Sequence, residues 1–239
     1  MKMKTAQTST KLWAIIPAAG SGRRFSATEL KQYQPLLGKT VLEHSVERLN
    51  HLPLQGYVLA IAENDTLAQT LPLACVERAH FCLGGLERVD SVLNALNYLL
   101  TIADEQDYVL VHDAARPCVT TDNLTSLVDC AVQLQCSAIL AVPVRDTLKK
   151  VANQCIETTV DRSHLWQAQT PQIAQIGLLK RAIEQALAAH VAITDEASAL
   201  EWCGYDVTVV AGRSDNLKIT FPEDLVLASL ILTAQQESH

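Results

Sequence analysis

The sequence predicts an α/β fold, a mostly parallel twisted sheet of Rossmann-like type with helices on both faces and a projecting β-hairpin arm. Three observations carry this. Apolar runs of strand length recur at residues 12–16, 57–62, 76–83, 108–111 and 138–142. Between them, residues 41–49, 89–100 and 124–134 repeat apolar side chains at three and four, the period of a helix packed on one face. Strand and helix in alternation imply parallel strands joined by crossover helices. Residues 145–160 break the rhythm: two β-type segments, 147–151 and 156–160, flank the polar Ala152-Asn153-Gln154. A lone hairpin is marginal in water, so this arm is expected to pack on something, and a second copy of the chain is the simplest candidate.

In such sheets ligands collect at the carboxyl ends of the strands, so each candidate site is expected just after a strand. The first strand runs into Pro17-Ala18-Ala19-Gly20-Ser21-Gly22-Arg23-Arg24, with Lys31 a little further on. Small residues let backbone N–H groups close on an anion, and the cations supply the charge a triphosphate needs. Phe25 stands where a dinucleotide fingerprint needs its third glycine, so this is not that motif. Gly38-Lys39-Thr40 resembles the end of a P-loop, but Tyr33 occupies the place of its first glycine, and a turn before the 41–49 helix is the expected reading.

The third strand leads into Gly84-Gly85-Leu86-Glu87-Arg88-Val89-Asp90-Ser91, whose backbone can approach a base or ribose while Ser91 hydrogen-bonds a ligand. The fourth ends in His112-Asp113-Ala114-Ala115-Arg116-Pro117. Asp113 there is either a magnesium ligand, since magnesium takes one or two carboxylates and fills its shell with phosphate and water, or a cap for the following turn. His112 is read as a packed residue rather than a base. After the arm come helices at 176–190 and 196–202, a strand at 207–210 and a closing helix at 222–233. Thr194-Asp195-Glu196 opens the second of these, where a role in the site and a plain helix start, whose acids favourable dipole interaction explains without any function, are equally good readings. In Asn216-Leu217-Lys218-Ile219-Thr220 an ammonium sits in an apolar context, where it needs an anion, so Lys218 is a candidate phosphate ligand.

Composition sets the outer bounds. The chain's 239 residues, 49% hydrophobic, fit one large domain spanning 1–239, with a polar, flexible lead over 1–10 and the arm over 145–165. A net charge of −7 argues against a nucleic-acid or membrane-surface binder. Local phosphate binding survives that total because salt screens charge beyond about 8 Å. No apolar stretch spans a bilayer and residues 1–10 lack a signal core, so the cytoplasm is the expected compartment. Seven scattered cysteines without a Cys-x-x-Cys pair read as reduced thiols rather than a zinc site.

Taken in order, Pro-Ala-Ala-Gly-x-Gly-x-Arg, Lys-Gln-Tyr, Gly-Gly-x-x-Arg-x-x-Ser, His-Asp-Ala-Ala-Arg-Pro, Pro-Val-x-Asp-Thr, Thr-Pro-Gln, Thr-Asp-Glu-Ala and Asn-x-Lys-x-Thr resemble the 2-C-methyl-D-erythritol 4-phosphate cytidylyltransferases over residues 14–225. The resemblance implies transfer of CMP from CTP to that polyol phosphate in non-mevalonate isoprenoid synthesis, with magnesium, in a homodimer whose arms reach across. It implies that Ala18, Ala19, Gly20, Arg24 and Lys31 hold CTP, with Gly85 and Ser91 near the cytidine and Asp113 at the metal. It implies that Arg116, Thr170, Thr194 and Lys218 line the acceptor side, joined by Thr147 and Arg162 of the neighbouring subunit, and that Arg24, Lys31 and Lys218 stabilise the transferring phosphoryl group. Leu30 and Leu86 depart from the family pattern, which has proline and an acidic residue there. Two rival readings are another alditol phosphate acceptor such as ribitol 5-phosphate, and a silent nucleotide sensor. Retention of Arg24, Lys31, Asp113 and Lys218 together weighs against the sensor.

Overall fold

The computed structural model describes residues 10–20, 25 and 30–237. The expected flexible lead falls almost wholly outside them, as does Arg24. Strands β1 (Leu12–Pro17), β2 (Pro35–Leu36) and β3 (Lys39–Thr40) precede helix α1 (Val41–Leu49). Then follow β4 (Gly56–Ile61), β5 (Ala79–Leu83), α2 (Arg88–Leu99), β6 (Tyr108–Val111), α3 (Thr121–Leu134) and β7 (Ser137–Pro143). The arm is β8 (Leu148–Ala152) and β9 (Cys155–Val160), and the chain closes with β10 (Trp166–Gln175), α4 (Ile176–Ala188), α5 (Glu196–Trp202), β11 (Val207–Ala211) and α6 (Asp224–Glu237).

Seven strands form one sheet in the order β11-β7-β10-β6-β1-β4-β5. All neighbours are parallel except β10, which runs antiparallel to both β6 and β7. Alternation along each strand splits the core between two faces. Ala14, Ile16, Leu59 and Leu110 pack under α1 and α3 through Leu42, Val46, Leu124 and Leu127. Trp13, Ile15, Val58, Val109 and Val111 face the other way, onto α2, α4 and α5 through Leu96, Leu99, Leu179, Ile183 and Leu200. Helix α1 starts where the sequence says it must: Thr40 accepts from the Glu43 amide while the Glu43 carboxylate accepts from the Thr40 amide, a reciprocal cap. Gly38, at φ +81°, makes the turn between β2 and β3 just before it.

Two expectations are corrected. The strand expected over 76–83 begins only at Ala79, and Val76–Arg78 is a 3-10 turn entered through Cys75 at φ +50°. The partner strand explains most of this: Tyr57 of β4 pairs with Ala79, so in that register β4's first residue, Gly56, falls opposite Arg78, and Val76 and Glu77 have no ladder to join. More consequentially, β10 was not expected at all. Its polar sequence, Trp-Gln-Ala-Gln-Thr-Pro-Gln-Ile-Ala-Gln, carries a proline that argues against a central strand. The sheet accommodates it with a bulge: between the pairs Ala168–Ala141 and Gln172–Ile139, three residues of β10 answer a single residue of β7, so Pro171 owes the β7 ladder no N–H. The arm forms as expected, its two-residue turn Asn153-Gln154 at positive φ, and its strands pair only with each other among the described residues.

Candidate active site

Three loops at the carboxyl edge of the sheet enclose a cavity of about 380 Å³: the turn after β1, the turn between β5 and α2, and the turn after β6, with Lys218 and Thr220 closing it from the segment before α6. Ala18, Gly20, Lys31, Gly85, Ser91, Asp113 and Lys218 all line it, so most of the residues expected on the nucleotide side meet there. The first loop is pinned by Gln32, which is buried and donates to the Ala18 carbonyl at 2.8 Å. The second packs against it so closely that glycine is obligatory. A Cβ on Gly84 would stand 2.3 Å from the Ala19 Cβ. Ser91 holds that loop from within, its hydroxyl accepting from the Gly85 amide at 3.0 Å. Leu86 is fully exposed at the cavity rim.

Asp113 is the electrostatic centre. Its Oδ1 accepts from Arg88 Nε at 3.0 Å, and its Oδ2 lies 2.8 Å from Lys218 Nζ and 3.5 Å from Arg116 Nε. Burial alone would raise its pKa, but Arg88, Lys218 and Arg116 outweigh it and hold the carboxyl well below the usual carboxylate range. The anion that the sequence demanded for Lys218 is therefore Asp113. Lys31 reaches the same region from the other side, donating to the Ile219 carbonyl at 3.0 Å.

Behind Asp113 a hydrogen-bonded chain fixes a buried histidine. His112 Nε2 stands 3.0 Å from the Arg116 carbonyl, which can only accept, so Nε2 carries the proton. Nδ1 then accepts from the Thr170 hydroxyl at 3.1 Å, and that hydroxyl oxygen accepts from the Asp113 amide at 3.0 Å. Burial pushes the imidazole pKa down to about 4, keeping it neutral. His112 is thus a packed residue, as the sequence suggested.

The acceptor-side candidates are placed less uniformly. Arg116 is buried beside Asp113 and donates from Nη1 to the Asn216 carbonyl at 2.7 Å. Thr170 lies in the β10 bulge, and Thr194 is exposed between α4 and α5, so these two break the rule that each site follows a strand. Thr147 and Arg162 are exposed at the base of the arm and do not line the cavity of their own chain. Arg162 Nη1 donates to the Val144 carbonyl at 3.3 Å.

Sequence reasoning missed the partners of Arg88. Glu196, read above as a favourable charge at a helix start, is buried and bonds both guanidinium Nη atoms, Nη1 to Oε1 at 2.6 Å and Nη2 to Oε2 at 3.1 Å. The cap of α5 is Asp195, which accepts from the Ser198 amide at 2.9 Å. Both Arg88 and Glu196 stand inside motifs visible in the sequence, but nothing there pairs residues 108 positions apart.

Residues 12–234 match the family model described as IspD, 2-C-methyl-D-erythritol 4-phosphate cytidylyltransferase. The chain is 65% identical to a protein of that name from Acinetobacter baylyi over 95% of each chain, and 48% identical to one from Photobacterium profundum over 93% of this chain and 96% of that one. Among solved structures it resembles a 4-diphosphocytidyl-2C-methyl-D-erythritol synthase, with a TM-score of 0.80 and 39% identity over 93% of this chain and 99% of that one. A 2-C-methyl-D-erythritol 4-phosphate cytidylyltransferase from Thermus thermophilus gives a TM-score of 0.78 at 28% identity, covering 94% of this chain and all of that one.

Proposed function

The chain belongs to the 2-C-methyl-D-erythritol 4-phosphate cytidylyltransferase family, and from that membership we infer that it transfers the cytidylyl group of CTP to 2-C-methyl-D-erythritol 4-phosphate in isoprenoid precursor synthesis. The observation that carries the reading to particular residues is the cluster of three cations on one ionised carboxylate in the wall of the cavity. The reaction brings a phosphate monoester oxygen to the α-phosphorus of a triphosphate. A new P–O bond forms, the bond from the α-phosphorus to the bridging oxygen breaks, and pyrophosphate leaves with the electron pair. No protein nucleophile is required, because the incoming phosphate is already ionised. What the protein must supply is orientation and positive charge.

Lys31 and Lys218 line the cavity and serve as donors to the oxygens on which charge grows. Arg24 is assigned the same duty from its motif alone. Ala18, Ala19 and Gly20 offer their loop to the phosphates, and Gly85 and Ser91 shape the cytidine end. Arg116, Thr170 and Thr194 belong to the acceptor side.

Magnesium is part of the proposal, with Asp113 as its protein ligand. The donor chemistry fits only a substrate-completed ion: Asp113 is ionised and lines the cavity, its oxygens already face Arg88, Lys218 and Arg116, and among the described residues no three His, Cys, Asp or Glu side chains converge to cage a metal, so the triphosphate would have to bring most of the ligands. Such an ion supplies charge neutralisation for the triphosphate.

A homodimer is also proposed, the arm of one subunit carrying Thr147 and Arg162 to the acceptor side of the other. Support comes from the arm's exposed apolar residues Val151 and Ile156, which a two-stranded sheet cannot cover alone. A cytoplasmic location agrees with seven unpaired cysteines. No described helix is long and apolar enough to cross a membrane.

Purified protein incubated with CTP, magnesium and either 2-C-methyl-D-erythritol 4-phosphate or ribitol 5-phosphate, scored by pyrophosphate release, tests the reading. Turnover is expected with the first acceptor. Preference for ribitol 5-phosphate would replace the acceptor assignment, and nucleotide binding without turnover on either would favour a sensor.

A further inference from the structure

Arg88 presents one guanidinium to two carboxylates. Its two Nη atoms fork onto Glu196 at 2.6 and 3.1 Å, and its Nε lies 3.0 Å from Asp113 Oδ1. A bidentate fork fixes the plane of a guanidinium, so with Nη1 and Nη2 committed the direction of the Nε–H is set. Glu196 is 3% exposed and does not line the cavity, so no substrate reaches it. Its burial is costly: desolvation raises its pKa despite the attraction of Arg88, and a buried ion pair is poor value as a source of stability alone. Its placement is more informative. Glu196 opens α5 and Arg88 opens α2, so their pairing ties the turn between β5 and α2 to the turn that carries Thr194, and both to Asp113.

We propose that Glu196 is a positioning residue for the transfer reaction: by clamping Arg88 it fixes Oδ1 of Asp113 and so leaves Oδ2 turned to Lys218 and Arg116. Without the clamp, Arg88 is free to swing onto the triphosphate or to pull Asp113 out of register with Lys218. Either movement spoils the alignment of the donors while leaving the cavity open to CTP. The inference rests on the cytidylyl-transfer reading, and the two are separable: turnover by the parent protein tests that reading, and only the ratio of variant to parent tests this one.

The experiment compares the parent with Glu196→Gln, which keeps the size but loses the charge and one acceptor oxygen. Glu196→Asp keeps the charge but falls a methylene short, and Arg88→Lys keeps the cation but loses the fork. Rates are divided by the number of CTP sites found by calorimetric titration, so unfolded protein does not count. Glu196→Gln is expected to lower kcat per site on the order of 10- to 100-fold with the KM for CTP within about threefold of the parent. Glu196→Asp is expected to lie between parent and Glu196→Gln. The pairing of Glu196→Gln with Arg88→Lys should be no slower than Arg88→Lys alone, because both break one device. A kcat per site within twofold of the parent in both Glu196 variants would overturn the proposal, even if their melting temperatures fall, since that pattern marks a role in stability only. A double variant slowed by the product of the single effects would overturn it as well.

Discussion

The ammonium of Lys218 stands 2.8 Å from Oδ2 of Asp113. The cation proposed to meet the reacting phosphates is thereby held in register by a carboxylate that is itself fixed from two other directions. Asp113→Asn removes the anion that Arg88, Arg116 and Lys218 share. It is expected to cost about 3 kcal/mol of unfolding free energy, because breaking a buried pair leaves uncompensated charge. Urea denaturation measures this, and an unchanged midpoint would show that the three cations relax without their partner.

Lys31 tests the charge argument directly. Replacing a well-placed donor to a developing oxyanion costs on the order of 10² to 10³ in rate. Lys31→Ala is therefore expected to lower kcat at saturating CTP and acceptor. A raised KM with kcat intact would move Lys31 from transition-state stabilisation to ground-state binding.

Gly84→Ala probes the contact between two cavity loops. The added methyl would meet the Ala19 Cβ at 2.3 Å and the Ser91 hydroxyl at 2.9 Å, so one loop must retreat. A misplacement of that size costs about 10²-fold in rate. Steady-state kinetics should show the loss, and parent-like activity would mean the loops separate freely.

The pH dependence of stability follows from His112. Its folded pKa, about 4, lies below the ordinary 6.5, so between those values the unfolded chain takes up a proton that the folded chain refuses. Stability is fully present above pH 6.5 and is lost as the pH falls from 6.5 to 4, by roughly 3 kcal/mol at the limit. Asp113, whose folded pKa is depressed, adds its own loss only below the ordinary carboxylate range. Denaturant titrations from pH 7.5 to 4.5 should show this slope, and His112→Gln should flatten it. An equal slope in that variant would assign the dependence elsewhere.

Arg162 addresses the dimer. Arg162→Ala is expected to weaken acceptor binding and to spare CTP affinity. In mixed dimers carrying Arg162→Ala on one subunit and Lys31→Ala on the other, the two defects should fall on the same active site if the arm crosses, leaving the second site intact. Two impaired sites would place Arg162 at its own subunit's site.

Legibility in the sequence followed the range of the forces involved. Helix α1 was readable to the residue because Thr40, Glu43 and its apolar spacing act within a few positions. Asp113 and Lys218 were readable as candidates because a strand end and an apolar context single them out locally. Strand β10 was not, since its glutamines and Pro171 are tolerated only by neighbours supplied from β6 and β7. Gln32 and Glu196 were hidden for a similar reason. Each is a polar side chain whose partner, the Ala18 carbonyl or Arg88, is brought near only by the completed sheet.

The reversed direction of β10 has an architectural consequence. Strand β7 climbs towards the edge that holds the cavity and β10 descends from it, so the excursion between them departs from and returns to that same rim. Residues can be inserted or deleted in the excursion without shifting the register of the strands beneath. The part of the molecule proposed to meet the acceptor is thus free to vary in length and composition, while the platform proposed to grip the nucleotide stays constant.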